Sequence, residues 1–298
     1  MLAYLSLASA MMIVGAYVGF SKLLVAVFPV FLLAWLRFGI AAVAMVTWLK
    51  RDVAEPALDR RSRALLFLES FLGNFLFSIC MLFGMRYASA VSAGVIMAGI
   101  PAAVALLSWV FLREQLSPRM VMAIALAVAG VAILALSRNA GDVETTSLLG
   151  TTLLVGAVLC EASYVVIGKR LTGNLSPRRI SALINVWGLV LVTPFGIWAA
   201  LSFDFTSVRI GIWGGLVLYA LAASMWTVWL WMTGLKKIPA SKAGIFTVFL
   251  PVTSALVGVV VLGEPFTPTH AAAFAFALAG VVLATWPTGG AKDQALRK

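Results

Sequence analysis

The sequence predicts an all-α integral membrane protein, with ten transmembrane helices arranged as two inverted five-helix repeats. Three observations predict it: an apolar composition, polar interruptions spaced at the length of a bilayer crossing, and an internal repeat with an odd number of helices. The 298 residues are 62% hydrophobic and 11% charged. An ordinary soluble domain is about 45–50% apolar and about 25% charged. No soluble core hides that much apolar surface, so lipid is the expected solvent. Every backbone N–H and C=O in lipid must be satisfied within the chain, and a helix does this segment by segment. The alternating segments of about ten residues that mark a membrane β-barrel are missing from the sequence.

Loop signals cut the chain into spans 3–21, 29–49, 64–84, 89–111, 119–137, 147–168, 179–200, 210–234, 241–262 and 269–286. Each is close to the roughly 20 residues that cross a hydrocarbon layer about 30 Å thick. The first contains "ASA" at 8–10, which resembles a signal-peptide cleavage site. No positive charge precedes that apolar run, and it continues to Gly19, so a retained helix is expected.

The formal net charge of +11 raises the question of nucleic acid, but the placement of the charges answers it differently. With the N-terminus in the cytoplasm, 17 of the 22 cationic residues fall in cytoplasmic loops or the tail, from Lys50 and Arg51 to Arg297 and Lys298. Lys22, Arg86, Arg138 and Arg209 fall outside, and Arg37 lies within a span. This positive-inside bias predicts a multi-pass protein of the inner or plasma membrane with both termini cytoplasmic. The expected partners are the lipid bilayer and a small-molecule metabolite, with no nucleic acid. Cys80 and Cys160 both lie inside spans, so neither a disulfide framework nor metal-ligand spacing is present. No metal and no cofactor are expected.

"LREQLSP" at 112–118 and "LGEPFTP" at 262–268 reveal the repeat. Residues 84–137 align without a gap on 234–287 at an offset of 150, and 17 of 54 positions are identical. They include Gly84/Gly234, Gly94/Gly244, Pro101/Pro251, Glu114/Glu264, Pro118/Pro268 and Gly130/Gly280. Tyr17/Tyr164 and Lys22/Lys169 match at an offset of 147. Residues 1–138 form the first repeat, 147–287 the second, and 288–298 a short basic tail. A five-helix unit reverses its direction in the second copy, and such inverted repeats suit alternating access to a central site. The Glu–Pro knots read as loop and cap chemistry: Pro118 and Pro268 at a helix start, Ser117 and Thr267 as N-caps, and Glu114 and Glu264 at the water interface.

These residues resemble a known family. "GMRYASAVSAGVIMAGIPAAVALLSWVFLREQLSPRMVMAIALAVAGVAILA" (84–135) resembles the first EamA domain of the drug/metabolite transporter superfamily. "GLKKIPASKAGIFTVFLPVTSALVGVVVLGEPFTPTHAAAFAFALAGVVLAT" (234–285) resembles the second, and "LRFGIAA" (36–42) resembles its second helix. The resemblance covers essentially the whole chain. It implies a central cavity between helices 1–4 and 6–9, with helices 5 and 10 as scaffold. It also implies transport of small metabolites, commonly export of amino acids and related compounds.

Polar residues inside a span are costly and usually face a cavity or a partner helix. Ser70, Asn74 and Ser78 form one stripe on the third span at helical spacing. Glu161 and Tyr164 share a face of the sixth, and Ser181 and Asn185 one of the seventh. Tyr17 lies in the first span and Arg37 in the second. Trp226 and Trp229 are neighbours on one face of the eighth, where they can stack a flat ring. Glu161, far from both ends of its span, is the expected ammonium-binding or proton-coupling group. Arg37 is expected to hold a substrate carboxylate or to lock the fold. Glu69, near the cytoplasmic end, is expected to snorkel, Lys22 and Lys169 to anchor span ends, and His270 to be solvated. Pro101 and Pro251 are expected to kink their helices and act as hinges. Alanines at spacing four on spans 5 and 10 suit close packing within the chain or a homodimer.

The leading expectation is therefore a secondary exporter of an amino acid or related compound, working by alternating access. The alternative is a facilitator or importer of a flat aromatic metabolite, such as a riboflavin-like vitamin or a nucleobase. An intramembrane enzyme would want clustered acids or a His/Asp constellation, and one His with two scattered intramembrane Glu does not supply it. No GxxxxGK[ST] loop is present to bind ATP.

Overall fold

The structure, a computed structural model, describes residues 2–51, 55, 58–112, 118–136, 147–172, 175–238, 243, 246–247 and 249–285. Within them the chain folds into ten helices, with short 3₁₀ turns at Val46–Leu49 and Phe205–Ser207 and no strand among the described residues. The first half holds α1 (Leu2–Val25), α2 (Val30–Ala44), α3 (Arg60–Arg86), α4 (Ala90–Met97 and Ile100–Leu112) and α5 (Pro118–Leu136). The second holds α6 (Leu148–Leu171), α7 (Pro177–Leu201), α8 (Ile210–Lys237), α9 (Phe249–Val260) and α10 (Pro268–Thr285). Helices α1, α3, α6, α7 and α8 are each long and apolar enough to cross a membrane unaided, whereas α2, α4, α5 and α9 are shorter apolar helices. The segment "REQLS" at 113–117, with Glu114 and Ser117, lies outside the described residues, as do Gly244 and the tail 288–298.

The halves interlock rather than sit side by side. Helix α1 packs on α8 and α9, while α6 packs on α3 and α4. Helices α2 and α7, α4 and α9, and α5 and α10 pack against each other. Glycines mark the close approaches. A Cβ on Gly84 of α3 would lie 2.8 Å from Leu154 of α6, and one on Gly234 of α8 would lie 2.5 Å from Leu7 of α1. Both members of this pair of contacts are repeat-related. A Cβ on Gly130 of α5 would lie 2.9 Å from the Ala273 carbonyl oxygen of α10. The small-residue faces of α5 and α10 are thus used against each other within one chain.

Two helices depart from α geometry at matching positions. Helix α3 carries a π turn at Ser70–Leu76 and α8 one at Leu221–Trp226, which overlap at the repeat offset. The prolines act differently from the expected mid-helix kink. Helix α4 ends at Met97 and restarts at Ile100, so Pro101 stands in the first turn of its second piece. An unbroken helix would need the missing Pro101 N–H to bond Met97, and the ring would clash with that carbonyl. Pro251 is likewise in the first turn of α9, preceded by 3₁₀ residues at 246–247.

Two clasps close the ends of the bundle. Glu264, at one end of the bundle, is buried against its neighbours. Its carboxylate accepts from Lys22 Nζ at 2.7 Å and from the Ala90 and Val91 amides at 3.0 Å each. It therefore ties α1 to the N-terminus of α4, where two orphan amides need an acceptor. Lys22 is more than a span-end anchor, and the described residues of Lys169 do not include its side chain. His270 is half-buried rather than solvated: Thr267 Oγ1 accepts from its backbone N at 3.3 Å, and Ser92 Oγ lies 3.4 Å from its ring. At the other end, Glu55 accepts from Arg179 Nη1 and the Ser176 amide, each at 2.7 Å.

Two predictions follow from the clasps. Replacing Glu264 by Ala strands two buried amides and lowers unfolding stability in detergent by about 2–4 kcal/mol. Lys22→Ala, which leaves both amides served, costs about 1 kcal/mol or less. For Glu55, burial alone would raise the carboxyl, but the bonds from Ser176 and Arg179 outweigh it and hold it below the usual 4.5. The unfolded chain binds that proton first as pH falls. The stabilisation is thus full above the ordinary value and is lost as acid titrates the folded carboxylate. The melting-temperature gap between wild type and Glu55→Gln should be widest near neutrality and close below about pH 4.

Candidate functional site

A single stripe of polar atoms meets at the middle of the bundle. The cavity there is lined by Tyr17 of α1, Arg37 of α2, Gly73 and Asn74 of α3, Glu161 and Tyr164 of α6, and Ala223, Thr227 and Trp231 of α8. Met11, Val14, Phe77, Ile184 and Val228 supply its apolar walls. Its volume is about 30 Å³, space for roughly two waters. A metabolite therefore enters only when helices part.

Both π turns face this cavity. Gly73 and Asn74 lie in the one and Ala223 in the other, with Thr227 one residue beyond it. A π turn widens the local backbone and is frequent at functional sites. Here it swings Asn74 between two helices. Asn74 Oδ1 accepts from Arg37 Nη2 at 3.3 Å, and Asn74 Nδ2 donates to the Ile184 carbonyl of α7 at 3.1 Å.

Arg37 is 2% exposed. Nη2 also donates to Ser78 Oγ at 2.6 Å, and Ser78 Oγ donates in turn to the Asn74 carbonyl. The guanidinium lies 4.4 Å above the Phe38 ring and 6.0 Å from the Tyr219 ring, which suits a cation facing π electrons. Its Nε has no partner among the described residues. The lock that holds Arg37 is made of side chains on α3.

Glu161 lines the cavity without an ion pair or hydrogen bond among the described residues, and Arg37 and Glu161 do not pair with each other. The Tyr164 hydroxyl, Thr227 Oγ1 and Trp231 Nε1 are buried and likewise unpartnered. Tyr17 packs edge-on against Tyr219 at 5.9 Å.

The expected residues divide into three groups. Tyr17, Arg37, Asn74, Glu161 and Tyr164 come together on the cavity. Ser78 and Asn185 stand behind it: Ser78 holds Arg37, and Asn185 Nδ2 donates to the Phe38 carbonyl at 3.0 Å, fixing α7 to α2. Trp226 and Trp229 are elsewhere. Trp226 is exposed, and Trp229 packs on Trp48 at 6.0 Å with Arg178 above both rings. Trp231, two residues on and 1% exposed, is the tryptophan that lines the cavity. Ser224, Thr227 and Trp231 run at i, i+3 and i+7 along α8, a periodicity that the aromatic cluster "MWTVWLWM" masks. Glu69 does not snorkel: it is fully buried, with both oxygens unpartnered.

Comparison with known proteins places this arrangement. The model of the EamA-like transporter family matches residues 1–136 and again 148–286. The chain belongs to that family. It is 36% identical over 94% of its length to the uncharacterized transporter YetK of Bacillus subtilis (strain 168), covering 85% of that protein. It is 26% identical to the uncharacterized transporter YyaM of the same organism, over 85% of this chain and 83% of that one. A solved crystal structure shares the fold with a TM-score of 0.65, 18% identity and 95% coverage of both chains. The protein is a multi-pass membrane transporter.

The Arg37 cluster makes a direct prediction. Arg37→Lys keeps the charge but removes both the Nη2 that donates to Asn74 and Ser78 and the planar group that lies over Phe38. Thermal unfolding in detergent should report a loss of about 1–3 kcal/mol.

Proposed function

We propose that the protein is a secondary transporter exporting a small zwitterionic metabolite, an amino acid or related compound, by alternating access. The observation that carries this reading is a buried cation and a carboxyl that line one cavity with no ion pair between them. Among the described residues Arg37 Nε has no partner, and Glu161 makes no ion pair or hydrogen bond. A zwitterion complements both at once, its carboxylate at Arg37 and its ammonium at Glu161. Asn74, Tyr17, Tyr164 and Thr227 then orient the side chain. Charges shielded from water act strongly on one another, so opposite charges on the substrate offset the cost of closing over it.

In this reading the two interlocked five-helix repeats, 1–138 and 147–287, exchange conformations around the cavity. The breaks ahead of Pro101 in α4 and Pro251 in α9 are where the gates bend. The Lys22–Glu264 clasp then lies on the outer side and the Glu55–Arg179 clasp on the cytoplasmic side. Both termini are cytoplasmic in the inner or plasma membrane, as the placement of the cations supports. Glu161 carries the coupling proton.

A second reading rests on the aromatic wall. Tyr17, Tyr164 and Trp231 together can sandwich a flat ring, which favours a vitamin-like or nucleobase cargo.

The test is thermal stabilisation of the purified protein by a panel of amino acids, nucleobases, flavins and organic cations. A binder at 100 times its Kd adds about 2.7 kcal/mol. Stabilisation by an amino acid, lost in Arg37→Lys and in Glu161→Gln, is expected. Stabilisation only by planar rings, lost in Trp231→Ala, would replace the zwitterion with the aromatic cargo. In proteoliposomes, Glu161→Gln should abolish proton-dependent flux of the amino acid yet preserve counterflow. Unchanged pH dependence in that variant would remove the coupling role.

A further inference from the structure

Glu69 is a buried acid that the cavity does not absorb. It is 0% exposed, and neither carboxyl oxygen has a hydrogen-bond partner among the described residues. An ionised carboxylate buried without a partner is far more costly than a buried neutral acid. A residue of this kind inside a span marks a function by default.

Its surroundings connect it to the cavity. Glu69 is the last residue before the π turn of α3. Its Oε1 lies 2.9 Å from the point that a Cβ on Gly168 of α6 would occupy, and Met232 of α8 reaches the same point at 2.9 Å. The absent Gly168 side chain is thus the space that houses the carboxyl. One turn back along α6, Tyr164 fills the space above Gly73, where a Cβ would lie 2.6 Å from the Tyr164 Cβ. Positions 69 and 73 are neighbours on α3, and 161, 164 and 168 share one face of α6. The two faces interdigitate. Reading along them from the cavity, the ionisable groups run Glu161, Tyr164, Glu69.

The groups acting on Glu69 are of one kind. On the facing side of α6 the ionisable groups are Tyr164, one turn from Gly168, and Glu161 beyond it. From α8 it meets Met232, and Arg179 at the start of α7 is engaged by Glu55. No cation neutralises it among the described residues.

We propose that Glu69 is a second proton-binding site, exchanging its proton with Glu161 through the Tyr164 hydroxyl. The proton thereby passes between the cavity and the end of the bundle at which α3 begins and α6 ends. In each passage the hydroxyl accepts a proton from one carboxylic acid and gives its own to the other carboxylate, so the tyrosine ends unchanged. No two of the three are hydrogen-bonded to each other here. The relay is therefore open-circuited in this conformation and closes when a rotamer change or a water bridges the gap. The proposal rests on the reading that the cavity is the transport site and that Glu161 is its proton site.

The test needs no substrate. Infrared difference spectra of the full-length protein in lipid vesicles are recorded while the buffer is cycled between about pH 5 and about pH 9. Carboxylic C=O bands that shift in D₂O report buried acids. Two titrating bands are expected. Glu69→Gln should delete one and leave the other. Glu161→Gln should delete the second and move the Glu69 midpoint by about one pH unit or more, the mark of coupled sites. Tyr164→Phe should keep both bands but slow hydrogen–deuterium exchange at Glu69 by about tenfold or more. Glu69→Asp restores a titrating band at a displaced position, which a purely structural role would not do, and it serves as the second variant should Glu69→Gln fold poorly. The proposal is overturned if no band is assignable to Glu69, if its midpoint ignores Glu161→Gln, or if exchange ignores Tyr164→Phe. Counterflow of any ligand from the thermal screen is insensitive to each of these results, so the transport reading stands or falls separately.

Discussion

Hydrocarbon offers no hydrogen bonds, and that one deprivation organises this molecule. It makes every crossing a helix. It also makes each departure from the helix expensive enough that the departures collect where other groups can serve the freed backbone. The break in α4 is buried, and each π turn puts two residues into the interior, Ser70 and Asn74 in α3 and Ala223 and Ser224 in α8. The π turns border the cavity. There, side chains such as Asn74, Ser78 and Thr227 can complement groups that lipid would leave bare. The same deprivation explains the treatment of Arg37. A cation at that depth must bring its own solvation, and α3 supplies it from two residues one turn apart.

The gross plan was legible in the sequence because it rests on composition and period. The spans, the offset repeat and the stripe of Asn74 and Ser78 follow from which residues are apolar and how far apart they fall. Tyr17, Arg37, Glu161 and Tyr164 could be named because a polar group within an apolar run stands out. What resisted reading was rotation about a helix axis. Trp226, Trp229 and Trp231 are equally aromatic, and only the local winding decides which one turns inward. The π turn at Leu221–Trp226 widens the winding ahead of them, so counting in steps of 3.6 from the start of α8 loses register before it reaches them. No residue pattern in "LAASMW" announces the turn.

Charges near span ends were the other blind spot. Glu69 and Glu264 sit where long side chains ordinarily reach water, and hydropathy treats them alike. Their fates differ because of what lies opposite. Glu264 finds two free amides and a lysine, whereas Glu69 finds the empty side of a glycine. Gly168 appears unremarkable in a chain with 25 glycines. Its meaning is visible only once α3 and α6 are laid against each other.

The interlocking of the two halves has a consequence for how the protein is made. The bulk of the neighbours of α1 are on α8 and α9, more than 200 residues downstream. A ribosome adding about 5–20 residues per second needs roughly 10–40 s to deliver them. During that interval the first helices sit in the bilayer with glycine-lined faces unfilled, and Lys22 has no acidic partner. Nascent first halves must therefore be held in a loose assembly by lipid or by the insertion machinery. The bundle cannot be completed until its last helices are released.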